Sequence, residues 1–508
     1  MRRSLGVAIG LLLALARTAP GAESDSRIVK GKFEAGLSGW VVTGDVHLET
    51  NPIVKGAASA LIGPGSGSIS QRIETGNGNP LTVSAILQPS RTNGWMLTIR
   101  FLDPQGRELM RVDSMHDMKP GGQKPLKLSH YLQTHPLTKW VEILISKDSS
   151  VGTLRVDEVG LSMEDENAAD LKSTCDLDRA MDPFWLGTNV YDEAVLLLSH
   201  DGHPATGRLM FQPSRIIAVE DYGLTTHYVE GTDYTVDGRT LTCTATSRMT
   251  QVRDEDLPRG ELKWNTIGGK QVMVTYEHAD PWKHPHPAFG GLFLTNTIRK
   301  LETRAPLIIV AYGDSITHGY GESRLSHIPP FLPPWPELIA HRLKALYRDD
   351  HIQLYNSSQS GATSQWGKEY AGRMVAALNP DLVIIAFGQN DFWSASADAF
   401  ADNIREIMRT VRDKNPKAEF LLVSTLRYDP AYTAKAEYWD RVGQYARKLE
   451  AMTGPGVQCV DVTAISEWVY AAKKPKDCLN DPLHPNDYFA RWYAQSVAAS
   501  LDPASGAQ

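Results

Sequence analysis

Cysteine is scarce in this sequence: Cys175, Cys243, Cys459 and Cys478 are the four present in 508 residues. That is too few for a disulfide-built scaffold, and the spacing holds no paired-cysteine metal motif. Apolar runs of membrane-spanning length are missing as well. The stretch from Leu5 to Leu15 is about a dozen residues, against the roughly 20 that a helix needs to cross a bilayer, so stable membrane insertion is not expected. Positive charge is not in excess either. The net charge of -7 argues against a phosphate-backbone partner, so nucleic acid is not expected. What is present, 42% hydrophobic and 22% charged residues, is an ordinary globular composition. The length exceeds what one core supports and suggests about three domains.

Met1-Arg2-Arg3, the apolar run and Ala16-Arg17-Thr18-Ala19-Pro20-Gly21-Ala22 are the charged, apolar and small-residue sections of a secretory signal, assigned to residues 1–22. The expected location is secreted or periplasmic, with a mature chain starting between Gly21 and Ser24. In an exported protein an even number of cysteines can pair. Cys459–Cys478 could close a loop, or all four thiols could stay reduced, because the Cα separation a bridge requires is not written in the sequence.

From 27 to 163 short β-prone runs alternate with turn clusters, among them Leu81-Thr82-Val83-Ser84-Ala85-Ile86-Leu87 and Trp95-Met96-Leu97-Thr98-Ile99-Arg100-Phe101. This is a β-sandwich pattern. An acidic linker, Glu164 to Thr174, follows. Between 178 and 290 a second set of strand-like runs appears, including Arg215-Ile216-Ile217-Ala218-Val219 and Gln271-Val272-Met273-Val274-Thr275-Tyr276. Trp282-Lys283-His284-Pro285-His286-Pro287 places two histidines two apart, as metal ligands on a strand could be. The interleaved prolines favour an extended connection instead, and no carboxylate–histidine set completes a ligand shell.

The segment 303–502 is organised around Ile308-Ile309-Val310-Ala311-Tyr312-Gly313-Asp314-Ser315, a buried-strand pattern that delivers a serine into a turn. Strands at 352–356, 382–387, 420–425 and 457–460 alternate with helical patterns at 336–347, 368–378, 399–412, 435–452 and 486–501. Such alternation predicts a doubly wound parallel sheet, in which ligands bind beyond the carboxyl ends of strands. A serine hydroxyl needs a base, an orienting group and oxyanion donors to act as a nucleophile. Asp481-Pro482-Leu483-His484 places a carboxylate three residues before a histidine, which fits Asp481 holding Nδ1 while Nε2 of His484 faces Ser315. Ser360-Gly361 and Gly388-Gln389-Asn390-Asp391 end two further strands. The Gly361 N–H and the Asn390 amide are therefore candidate oxyanion donors.

These four blocks, in this order, resemble the SGNH (GDSL-type) hydrolases across 303–502. The resemblance implies a three-layer, flavodoxin-like α/β domain with Ser315 as nucleophile, His484 as base and Asp481 as its partner. It also implies an oxyanion hole from the Ser315 and Gly361 N–H groups and the Asn390 side chain, with no cofactor. Phe33-Glu34, Gly36 and Trp40 near the start of the first β segment and Val156-Asp157-Glu158-Val159-Gly160-Leu161 near its end are similar to the strands of jelly-roll carbohydrate-binding modules. Trp40, Trp95 and Tyr131 would be the sugar-stacking candidates, or core residues. The second β segment looks like the small β-sandwich that precedes the catalytic domain of exported carbohydrate esterases.

Asp314 and Asp391 could be read as a glycosidase-type carboxylate pair, but the better expectation is that they hold turns by backbone hydrogen bonds. Trp366 and Trp393 either wall the substrate pocket or cover the sheet edge. The reading reached here is a serine esterase acting on an acetylated carbohydrate such as xylan. A lipase, lysophospholipase or thioesterase and a non-catalytic sugar-binding protein are the alternatives.

Overall fold

The computed structural model describes residues 28, 31–50, 54–75, 81–90, 92, 94–115, 125–132, 134–148, 151–163, 172–257, 267–326, 328–433 and 435–506, with side chains at 114–115 and 129–131 excepted. The signal segment 1–22 and the Tyr131 side chain lie outside that set. The chain divides into two compact units at Asp170/Leu171.

The first unit is a curled antiparallel sheet of β1 (Val41–Glu49), β2 (Ser59–Glu74), β3 (Leu81–Ser90), β4 (Trp95–Leu102), β5 (Glu108–Met115), β6 (Leu126–Leu132), β7 (Trp140–Lys147) and β8 (Thr153–Met163). The strand order is β5-β4-β7-β2-β8-β3-β6, with β1 also paired to β2. Along β3 and β7 every second residue is buried, as the period of two requires when one face meets a core. β2 joins the two halves, because Ala60–Ile62 pair with β8 while Gly67–Glu74 pair with β7. Trp40 and Trp95 point into this core, 7% and 3% exposed. They are therefore not available to stack a sugar.

The second unit opens with α1 (Leu177–Ala180) and eight short strands. β9 (Asn189–Val195), β12 (Pro213–Asp221) and β16 (Val272–His278) form a three-stranded antiparallel sheet in the order β12-β16-β9. β10 (Leu198–Ser199), β11 (Thr206–Arg208), β13 (Tyr234–Asp237), β14 (Thr240–Cys243) and β15 (Val252–Arg253) form a five-stranded one. The three-stranded sheet packs its apolar face, Val190, Val274 and Tyr276 among it, into the same hydrophobic cluster as Leu307, Trp335, Trp492 and Val497. The three-stranded sheet of 178–290 thus shares a core with the hydrolase, while Leu196, Leu198, Val252, Leu257 and Ile267 form a smaller cluster of their own.

After α2 (Thr295–Thr303) the chain alternates β17 (Leu307–Gly313), α3 (Ser315–His318), α4 (Trp335–Tyr347), β18 (Ile352–Asn356), α5 (Ser364–Met374), β19 (Leu382–Ala386), α6 (Ala397–Lys414), β20 (Glu419–Val423), α7 (Ala436–Glu450), β21 (Val457–Val460), α8 (Val462–Ala472), α9 (Pro475–Cys478) and α10 (Asp487–Ala499). The five strands pair in parallel in the order β18-β17-β19-β20-β21. This is a doubly wound sheet whose direction of growth reverses beside β17, where ligands of such sheets bind. The helix expected from 368 begins earlier, at Ser364, because the Thr363 hydroxyl caps it by accepting from Trp366 N. α8 had no sequence expectation, although Asp461 caps it and Val462, Ile465 and Val469 give it a buried stripe.

An ion pair and a ring stack, His284 on Trp468, join the β segment to the hydrolase. Lys473 and Glu193, both with fully buried side chains, form an ion pair. The lysine also donates to the Ala194 and Arg208 carbonyls at 2.9 and 3.1 Å. His284 and His286 stack on different tryptophans, Trp468 at 5.3 Å and Trp185 at 6.4 Å. The segment between them is held by aromatic packing. All four cysteines are free thiols, so the pairing of Cys459 with Cys478 does not occur; Cys478 instead fills the core under α10.

Removing one member of a buried ion pair leaves the other charge uncompensated, at a cost of about 3–5 kcal/mol. Lys473→Met should lower unfolding stability in urea by that amount, and adding Glu193→Gln should recover part of it. A single variant as stable as the parent would show that the pair is not the joint between the two parts.

Candidate active site

Ser315 sits where β17 stops. Gly313 has no room for a side chain, since a Cβ there would lie 2.3 Å from the Ala386 carbonyl and 2.3 Å from the Thr317 hydroxyl. The chain can therefore turn tightly into α3, and the Asp314 carboxylate caps that helix by accepting from Ile316 N at 3.0 Å. The second Asp314 oxygen accepts from Gln389 N at 3.3 Å. Asp314 thus ties the serine turn to the end of β19, which is the turn-holding role expected of it.

The serine, the histidine and the aspartate come together. Ser315 Oγ lies 2.8 Å from His484 Nε2, and His484 Nδ1 lies 3.0 Å from each Asp481 oxygen. Asp481 Oδ1 also accepts from Leu483 N and His484 N, at 2.9 and 3.0 Å. All three side chains are buried, Asp481 completely. The Tyr320 ring packs against the imidazole, with 4.4 Å between centroids.

Two loops complete the surroundings. Gly361 has φ +78°, a left-handed conformation open to glycine without strain, and Asn390 Nδ2 donates to Ala362 O at 3.0 Å. The two oxyanion candidates are thus on loops in direct contact. Asp391, next to Asn390, accepts from Ser364 N at 3.0 Å and from Ser364 Oγ at 2.5 Å, again holding a turn. Trp366 and Trp393 are not alike. Trp366 lies over Tyr312 and Tyr370, at 5.9 and 4.6 Å, and so covers the sheet. Trp393 is 40% exposed, with its ring braced by Phe392, Tyr432 and Tyr438 at 4.5, 5.7 and 5.0 Å.

Several residues that sequence reasoning did not single out hold the histidine loop. Gln389 Nε2 donates to Leu483 O at 3.2 Å, and Gln389 Oε1 accepts from Thr425 Oγ1 at 2.9 Å. Asn480 Nδ2 donates to Gly321 O at 3.0 Å, where a Cβ on Gly321 would meet Pro485 O at 2.6 Å. Gln271, from the β segment, donates to Lys476 O and Leu479 O at 2.9 and 3.0 Å and accepts from Asn486 Nδ2 at 3.1 Å. Gln389 was discoverable from its place between Gly388 and Asn390. Gln271 was not, because its partner Asn486 is 215 residues away in the chain.

Burial pushes the Asp314 carboxyl up from 3.8 to about 7, against the pull of its Ile316 hydrogen bond, and burial likewise pushes Asp391 up to about 6. A folded-state pKa above the unfolded value means that the folded chain holds the extra proton. The resulting stability is present below the unfolded pKa and is lost as pH rises through the folded one. Stability in urea should accordingly fall between about pH 4 and 7, and Asp314→Asn should make that fall shallower. An unchanged slope would show that Asp314 titrates in its ordinary range.

Residues 311–492 match the model of the GDSL-like Lipase/Acylhydrolase family. An arylesterase of Vibrio mimicus is 23% identical over 196 residues, which are 38% of this chain and 87% of that protein. Among solved structures, a variant of Axe2, an acetylxylan esterase from Geobacillus stearothermophilus, aligns with a TM-score of 0.32 at 20% identity, covering 38% of this chain and 94% of that one. TmCBM61, crystallised with β-1,4-galactotriose, aligns with a TM-score of 0.23 at 19% identity, covering 28% of this chain and 100% of that one. The family match, on a parallel sheet that ends in Gly313-Asp314-Ser315, identifies the C-terminal part of the chain as a GDSL-like lipase/acylhydrolase domain, a carboxylic ester hydrolase.

Proposed function

We propose that residues 303–502 hydrolyse esters through a Ser315–His484–Asp481 triad, and that the natural substrate is an acetylated polysaccharide or oligosaccharide of the xylan type. The observation that carries the chemistry is the unbroken hydrogen-bonded line from Ser315 Oγ through His484 to Asp481. Ser315 Oγ attacks the ester carbonyl carbon as His484 Nε2 takes its proton, and Asp481 stabilises the imidazolium. The oxyanion is received by the N–H groups of Ser315 and Gly361 and by the Asn390 amide. Collapse expels the alcohol, which takes the proton from His484, and water then releases the acid from Ser315 by the same route. Apart from substrate and water, the groups used in these steps are side chains and backbone N–H groups of this domain.

The carbohydrate assignment rests on the β-rich first unit, read as a sandwich resembling carbohydrate-binding modules over 27–163, and on the exposed Trp393, whose face suits the apolar side of a pyranose. In this reading 178–290 braces the histidine loop, and the protein is exported by residues 1–22. Among the described residues no helix is long and apolar enough to cross a membrane. The family's lipase members favour a second reading, an esterase for longer acyl chains.

Initial rates on p-nitrophenyl esters from acetyl to octanoyl decide between these readings. Acetyl preference supports the deacetylase, and long-chain preference replaces it with a lipid substrate. Ser315→Ala should lose activity by several orders of magnitude; retained activity would refute the triad. Asn390→Ala should remain folded while turnover falls about 10²–10³-fold. Trp393→Ala should raise KM for acetylated xylo-oligosaccharides by about three- to tenfold and leave p-nitrophenyl acetate unaffected; an equal effect on both substrates would count against a sugar-stacking role.

A further inference from the structure

α3 has a single turn, with Ser315 as its first residue and His318 as its last. Positions three apart share a helix face. Ser315 reaches from that turn to His484, and His318 reaches to the loop that follows β18, where His318 Nδ1 lies 3.1 Å from Ser360 Oγ. Ser360 is joined to Gly361 by the peptide bond whose N–H is the second oxyanion donor of the proposed mechanism. Anything that fixes Ser360 therefore fixes the plane of that peptide.

The loop has few other side-chain anchors. The Ser357 and Ser358 hydroxyls and Gln359 Oε1 are buried without a hydrogen-bond partner. Its backbone is tied by Ser357 N to Ala311 O at 2.8 Å and by Gln359 N to Gly313 O at 3.1 Å, both before Ser360. At Ser360 itself the ties are Gln359 Nε2 to Ser360 O, at 3.2 Å, and the contact with His318. Of these two ties the contact with His318 reaches the helix that carries the nucleophile, as Asn356 Nδ2 does from the end of β18 by donating to Thr317 O at 2.8 Å.

We propose that His318 is a positioning residue for the oxyanion site, holding the Gly361 N–H in line with Ser315 through its hydrogen bond to the Ser360 hydroxyl. This rests on the serine-hydrolase reading of the same site. Burial lowers the His318 pKa to about 4, so the imidazole is neutral at neutral pH and Nδ1 can accept from the hydroxyl as well as donate to it. The ring does not need to touch substrate. It sets the distance between two groups that do, and a displacement of about 1 Å in such a group can cost up to a hundredfold in rate.

The test is a double-mutant cycle on the full chain with p-nitrophenyl acetate. His318→Leu and Ser360→Ala should each lower kcat by about tenfold with KM little changed, and the double variant should be no slower than either, because one hydrogen bond is lost in all three. His318→Asn, whose amide can occupy the place of Nδ1, should restore kcat to within about threefold of the parent. Thermal melting of each variant separates a local effect from misfolding. Parental kcat in both single variants, additive losses in the double variant, or failure of the asparagine to rescue would each overturn the proposal. Ser315→Ala run in parallel keeps the two readings apart: an active Ser315→Ala removes the serine mechanism itself, whereas an inactive one beside unaffected His318 variants removes only the positioning role.

Discussion

His484 must be held against a serine 169 residues earlier in the chain, and a loop has no ladder of its own with which to enforce that approach. The solution is a buried loop whose polar backbone groups are taken up by the rest of the unit, as buried groups require. Gln389 takes the carbonyl of Leu483, Asp429 N takes that of Pro482, and Gln271 takes those of Lys476 and Leu479. Ile267 N and Gly268 N both donate to Asn480 O at 3.3 Å. These donors come from the end of β19, the segment after β20 and the β-rich segment, so three parts of the fold must be in register before the imidazole is.

The same demand explains the buried charges. Lys473 and Glu193 each surrender hydration, so the pair is a poor source of net stability compared with apolar packing. Its geometry is nonetheless demanding: the lysine is shared by the carboxylate and two carbonyls, and Glu193 also accepts from Tyr276 Oη at 2.5 Å and Met210 N at 2.8 Å. A shifted β9 would strand all of these groups. Asp477, one turn after Lys473, accepts from Leu196 N at 2.7 Å, which fixes the strand's far end to the loop that leads into Asp481.

Much of the hydrolase was legible because its signals are local. The β-branched runs of β17 and β19, the stripe of α10 and the three-residue spacing of Asp481 and His484 all lie within a few residues. Ser315 Oγ, the His484 ring and the Asp481 carboxylate lie in a hydrogen-bonded line. Trp95 shows where such reading stops, since an aromatic in a strand has the same sequence signature whether its face points to solvent or to the core. Only the pairing of the neighbouring strands decides which. The shared core of 178–290 was hidden for a related reason. Alternation marks which face of β9 or β16 is apolar, but not which element, hundreds of residues later, will cover it.

Every residue of α10 is buried, and this helix follows every strand of the parallel sheet in the chain. It packs against α4 and β9, which stand far ahead of it. During synthesis, then, the earlier strands must wait with an uncovered apolar face until the final helix arrives, so closure of long loops governs how fast this unit folds. The histidine immediately precedes that helix. Under the proposed mechanism, a nascent chain holds its serine without a base until its core can close, and acquires hydrolytic competence in the same event that completes its folding.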